Sequence, residues 1–198
     1  PDAEIGTVYH WSDFGRLFEK KAVNYDKNFS TEDSTAVDFI NYIKTKKPTF
    51  GFVHFDHVDH AGHHDGHGTP PYYAAVAKAD SLIGAVLKAI KEAGIDKNTL
   101  VIITADHGGK GKGHGGPTPE EAEIAMILYG KDIKKGYTIQ QQVYTYDLAA
   151  TIAFAFNITP PYAWIGRPIK PAFEGFEEPA NLWEGKEVVN KNGDRGVK

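Results

Sequence analysis

Two periods alternate along the chain: short uninterrupted apolar runs, and longer stretches with apolar residues every third or fourth position. Gly6-Thr7-Val8-Tyr9 predicts a short strand, and residues 12–21 an amphipathic helix. Ser30 or Thr31 is placed to cap a helix that carries Val37, Phe39, Ile40 and Ile43 on one face and ends near Lys46. Residues 48–55 predict a buried strand running directly into a His/Asp-rich loop, 56–68.

Thr69 is then expected to cap a long helix with Pro70 and Pro71 in its first turn and Gly94 as its stop. Leu100-Val101-Ile102-Ile103-Thr104 has the continuous apolar character of a strand buried on both faces, and residues 124–129 repeat it. A Gly-rich loop, 106–119, separates them. Thr145 is expected to cap a further helix to about Phe156, with Asn157 as terminator and Asp147 as a further capping residue. Beyond Ile158 the chain is rich in Pro and Gly, then polar from about Gly185, which predicts extended packing over the surface with a late hairpin.

Strand-helix alternation of this kind predicts an α/β protein, a three-layer α/β/α sandwich around a mostly parallel sheet. In such sheets ligands bind beyond the carboxyl ends of the strands. Loops 56–68 and 106–119 both follow strands directly, so they are expected to meet at that edge.

The 198 residues suffice for a single domain with its own core. A net charge of -4 argues against a nucleic-acid polymer as partner, and no apolar run reaches membrane-spanning length. The absence of cysteine removes disulfides and thiolate zinc sites. Histidine changes the picture: eight of the nine fall between His54 and His114, and only the lone His10, read as structural, lies outside. Clustering of this kind points to metal binding or acid/base chemistry.

Asp59 and His63 are four residues apart, so one turn of chain brings carboxylate and imidazole to the same side. Asp106 and His107 are adjacent at a strand end, and His114 lies between glycines. Imidazole with carboxylate suits zinc, or manganese, better than calcium or magnesium. His57, His60, His64 and His67 exceed what two ions need and read as solvated or supporting groups. Asp56 reads as a loop cap or as a carboxylate orienting a ligating imidazole, and Asp65 as a turn residue. Lys110 and Lys112 are candidates to face a substrate phosphate, with exposure as the simpler alternative. Tyr72 and Tyr73 read as packing residues at the start of a helix.

Together, the Asp-x-x-x-His segment, the strand ending Asp106-His107-Gly108 and the later Gly113-His114-Gly115 resemble the alkaline phosphatase superfamily. Val58-Asp59-His60-Ala61-Gly62-His63 is similar to the Pro-Asp-x-x-Gly-His motif of its type I phosphodiesterase/nucleotide pyrophosphatase branch. Tyr146 to Ile152 and Ile165-Gly166-Arg167-Pro168 resemble that branch's closing helix and Gly-Arg strand. The resemblance implies two divalent metals, one held by Asp59, His63 and His114, the other by Asp106 and His107. It also implies hydrolysis of a small phosphate ester through a phospho-enzyme on a Thr or Ser. Sulfatase and phosphoglycerate-mutase-like chemistry are the alternatives within the superfamily. A zinc-storage domain using His57, His60, His64 and His67 is the alternative outside it.

The family's nucleophile and one further Asp precede the Asp-x-x-x-His segment. In residues 1–58 the hydroxyls of Ser12, Ser30, Thr31, Ser34 and Thr35 read as helix caps or surface groups. A third, magnesium site needs an acidic residue five positions before Asp59, where His54 stands. The expectation is therefore the C-terminal part of a larger catalytic domain, with core 49–175 and surface tail 176–198. Such a piece would be nearly inactive and prone to homo-oligomerise through its exposed sheet edge. A periplasmic or extracellular location is plausible for the whole protein.

Overall fold

A computed structural model describes residues 3–177 and the backbone of 187–189 and 195–197. The chain forms two compact units, Pro1–Lys131 and Asp132–Lys198. Among the described residues no helix is long and apolar enough to cross a membrane.

The first unit is built on a parallel sheet in the order β2-β1-β3, with β1 at Ile5–Tyr9, β2 at Tyr25–Asn28 and β3 at Phe50–His54. Val8 in the central strand is fully buried. Helices α1 (Glu32–Lys46) and α3 (Pro70–Glu92) pack together, and Phe39, Tyr42 and Ile43 of α1 join Val86 and Ile90 of α3 around Val8. Thr31 caps α1, its hydroxyl accepting from the Ser34 N–H at 3.2 Å. Burial follows Thr35, Phe39, Tyr42 and Ile43, one stripe of a 3.6-residue period. Val37, expected on that face, lies off the stripe and is exposed.

Several expectations need correction. Residues 12–21 form no α-helix but two 3-10 turns, Ser12–Arg16 and Lys20–Ala22. Trp11 offers no capping side chain, and Gly15 weakens the interior of so short a segment. The polar strand β2 carries no hydrophobic signal, because an edge strand is held by backbone pairing to β1. The His/Asp-rich stretch is largely helix, α2 at His57–Asp65. β4 (Leu100–Thr104) is half-buried, not buried on both faces, and pairs antiparallel with β5 (Met126–Gly130) in a sheet of two. β5 alternates, with Ile127 and Tyr129 exposed. A four-residue helix, α4 (Pro119–Ala122), stands between them.

In the second unit, the N-cap of α5 (Thr145–Ala155) is Tyr144, one residue before the expected Thr145, while Asp147 caps as expected: buried, it accepts from the Tyr144 N–H at 2.9 Å. Its other oxygen accepts from the Arg167 N–H at 2.7 Å. Gly166 makes that approach possible, since a Cβ there would lie 2.3 Å from the Tyr146 carbonyl oxygen. Thr151 extends the seam, its hydroxyl donating to the Asp147 carbonyl and accepting from Ile169 N–H. Replacing Asp147 with Ala strands two backbone donors, both part-buried. We expect a loss of about 2–4 kcal/mol in this unit by denaturant unfolding, with metal binding in the first unit unchanged. The expected late hairpin is present as β6 (Glu187–Val189) paired antiparallel with β7 (Arg195–Val197). The remainder of the expected 176–198 surface tail lies outside the described residues after Glu177.

Candidate metal centre

Only two residues separate the end of β3 from the start of α2, so its first turns sit at the carboxyl end of the parallel sheet. Within it, Asp59 and His63 share a face and approach to 3.4 Å (Oδ2 to Nε2). The loop after β4 supplies the others. His114 Nε2 lies 3.1 Å from His63 Nε2 and 3.7 Å from Asp59 Oδ1. His107 Nε2 lies 4.0 Å from Asp59 Oδ1 and 3.6 Å from Asp106 Oδ2. The His107 and His114 rings stack at 3.8 Å. All five candidate ligands thus form one contiguous cluster. Asp59, His63 and His114 each bring a ligand atom within 4.8 Å of the other two.

Backbone carbonyls set the tautomers. His63 Nδ1 lies 2.9 Å from the Lys112 carbonyl oxygen, and His107 Nδ1 lies 2.7 Å from that of Gly108. A carbonyl oxygen only accepts, so both rings carry their proton on Nδ1 and turn a bare Nε2 into the cluster. Metal-binding histidines are oriented in this way. Two imidazole nitrogens 3.1 Å apart are stable with one proton shared between them or with both bare toward a common cation. Asp59 Oδ1 beside them is buried and has no hydrogen-bond partner. A buried carboxylate oxygen without a donor costs several kcal/mol unless something positive occupies its lone pairs.

The loop that carries His114 is held by His67, Lys110 and Lys112, in supporting roles the sequence did not reveal. Gly111 O accepts from both the backbone N–H and Nδ1 of His67, at 2.7 and 3.0 Å. Lys112 Nζ donates to the His64 carbonyl at 2.8 Å, and Lys110 pairs with Glu120 at 3.5 Å. The Glu121 carboxylate accepts from the Gly116 N–H and the Thr118 hydroxyl, and both contacts hold its pKa below the usual carboxylate range. The glycine of Asp106-His107-Gly108 has a steric reason, since a Cβ would sit 2.2 Å from the Glu120 carbonyl oxygen. His67 is wedged between Gly62 of α2 and Gly109 of the loop.

The surplus histidines lie elsewhere. His64 is exposed and pairs with Asp65 at 3.0 Å, and His60 is exposed. His57 Nε2 bonds the Ala75 carbonyl oxygen. His54 stacks on Phe14 at 5.0 Å, and burial lowers its pKa below the usual histidine range. Asp56 caps α2 with its backbone, its carbonyl accepting from His60 N–H. Tyr72 packs on His67 at 5.1 Å, whereas Tyr73 is exposed.

The family described as type I phosphodiesterase / nucleotide pyrophosphatase matches residues 6–111, just over half of the chain. The catalytic subunit of human GPI ethanolamine phosphate transferase 2 is 28% identical over 178 residues, 81% of this chain and 18% of that protein. Human ectonucleotide pyrophosphatase/phosphodiesterase family member 5 is 29% identical over 94 residues, 47% of this chain and 20% of that protein. The chain thus spans about a fifth of the length of these curated relatives. A crystal structure from Bacteroides fragilis, described as a sulfatase, superposes with a TM-score of 0.55 at 22% identity, covering 73% of this chain and 41% of that one. That likeness bears on the fold, which is α/β and alkaline-phosphatase-like, as expected.

Proposed function

Since the chain belongs to the type I phosphodiesterase/nucleotide pyrophosphatase family, within the alkaline phosphatase superfamily, we propose that it forms the metal-binding part of an enzyme that cleaves small phosphate esters. Asp59, His63 and His114 hold one divalent ion, zinc or manganese, and Asp106 and His107 contribute to a second. The single observation behind this reading is the buried, unpartnered Asp59 Oδ1 facing imidazoles whose tautomers are fixed from behind. The donor set of imidazole and carboxylate fits such ions. When bound, they supply Lewis acidity and charge neutralisation at the phosphoryl group.

The chain's own residues position. His63 and His107 are oriented by their Nδ1 contacts to the Lys112 and Gly108 carbonyls, which leaves Nε2 as the ligand atom of each ring. Lys112 is tied to α2, whereas Lys110 is exposed and held only by an exposed Glu120 at 3.5 Å, a pair it exchanges for a phosphate. The nucleophilic hydroxyl and a further carboxylate come from a part of the enzyme other than these residues. In support, Thr31, Ser34 and Thr35 are engaged in the cap of α1. Attack of that hydroxyl on phosphorus breaks the ester P–O bond, the alcohol leaves with the hydroxyl's proton, and the phospho-enzyme is then resolved by water or, as the relative named as a phosphate transferase suggests, by a second hydroxyl acceptor. An extracellular or periplasmic site of action accords with the relative named as an ectoenzyme.

The test is hydrolysis of bis(nitrophenyl) phosphate and nitrophenyl phosphate with zinc or manganese. The enzyme including its nucleophile-bearing segment is expected to turn over and to lose activity with a chelator. The 198-residue chain alone is expected to stay near the uncatalysed rate. Ordinary enzymatic turnover by the short chain would contradict the nucleophile assignment. Inertness of the longer enzyme toward both esters would contradict the proposed activity.

A further inference from the structure

A second group of potential ligands lies apart from the Asp59 cluster. His10 follows β1, Glu32 is the first residue of α1 and His57 is the first residue of α2. Each brings one ligand atom to within 4.8 Å of the other two, and all three residues are partly buried. His10 Nε2 lies 3.1 Å from the Ser30 carbonyl oxygen, and His57 Nε2 lies 3.1 Å from that of Ala75. These acceptors fix the proton of each ring on Nε2 and leave each Nδ1 with a bare lone pair. Both Nδ1 atoms are buried and neither has a hydrogen-bond partner.

Two oriented imidazoles with buried bare nitrogens beside one carboxylate are the donor set of a His2Glu zinc site. A buried lone pair left empty is a cost that the fold tolerates where an ion or a water fills it. We propose that His10, Glu32 and His57 bind a divalent cation of the zinc type, separate from the phosphate-ester site. Three elements contribute, so the ion ties the end of β1 and the start of α1 to the start of α2. Because α2 also carries Asp59 and His63, this ion acts as a brace for the helix that presents them. The positive ends of α1 and α2 oppose a cation here, and Glu32 offsets that opposition. The brace site is therefore expected to fill after the Asp59 site.

Zinc bound to the 198-residue chain is measured by mass spectrometry of the metal after equilibration with a zinc buffer and gel filtration. His10→Ala and Glu32→Gln are each expected to lose one equivalent relative to the unaltered chain. The pair His63→Ala with His114→Ala is expected to lose a different equivalent and to keep a zinc-dependent rise in melting temperature. That rise should vanish when Glu32→Gln is added. Glu32→Gln keeps the side-chain volume, so it decides the matter if His10→Ala does not fold. Unchanged zinc content in Glu32→Gln, with circular dichroism unchanged, would overturn the brace site while leaving the Asp59 cluster unaffected. Loss of zinc confined to His63→Ala with His114→Ala would do the same.

Discussion

Replacing His63 with Ala is expected to weaken zinc binding at the Asp59 cluster by more than a hundredfold. The imidazole is one of three groups whose ligand atoms lie within 4.8 Å of one another. Removing a group that merely orients a metal ligand costs about 10–100-fold in affinity, and losing the ligand itself costs more. The Lys112 carbonyl also loses its donor, so the loop that carries His114 is loosened at the same time. Competition with a chromophoric chelator gives the constant directly. His60→Ala is the control, because His60 is exposed on α2 and takes no part in the cluster. Equal losses in the two variants would mean that zinc is held by the histidine-rich surface at large.

The second large effect is expected from Gly109→Ala. A Cβ at this position would lie 2.0 Å from His67 Nε2. His67 has little freedom to retreat, since its Nδ1 and its backbone N–H both engage the Gly111 carbonyl and Gly62 closes its other side. Ejecting the ring separates α2 from the loop after β4. Overpacking of this kind costs about 1–3 kcal/mol, and a shift between the elements bearing Asp59 and His114 adds a fall in zinc affinity of about 10–100-fold. Denaturant unfolding and the chelator assay read the two effects separately. Adding His67→Ala to Gly109→Ala should restore part of both, because the clash partner is then gone. A double variant as damaged as the sum of the single ones would show that His67 is not the wedge.

The parts of this protein written in local chemistry were legible in the chain. Thr31 caps α1, Asp147 caps α5, and Pro70 opens the long helix that Gly94 ends, all from short-range rules. Asp59 and His63 were paired by spacing alone, and the helix that makes the spacing work lies where a loop was expected. Four histidines and two aspartates among the nine residues of α2 hide its apolar signal, so periodicity could not reveal it. β2 escaped notice for a related reason: Tyr25, Asp26, Lys27 and Asn28 pair through the backbone, and that leaves no trace in side-chain pattern. The apolar run of β4 was read as buried on both faces, but a run alone reports hydrophobicity, not the number of strands beside it. His67 between two glycines, and His10 beside Glu32 and His57, depend on contacts between segments far apart in sequence. No local rule reaches those contacts.

Anomalous diffraction at the zinc edge, on crystals of the chain equilibrated with zinc, tests the central claim most directly. The strongest peak is expected among Asp59 Oδ1, His63 Nε2 and His114 Nε2, at bond lengths of about 2.0–2.2 Å. A map with no peak there, and density instead at His60, His64 or His67, would contradict a phosphate-ester centre and point to a surface that merely collects zinc.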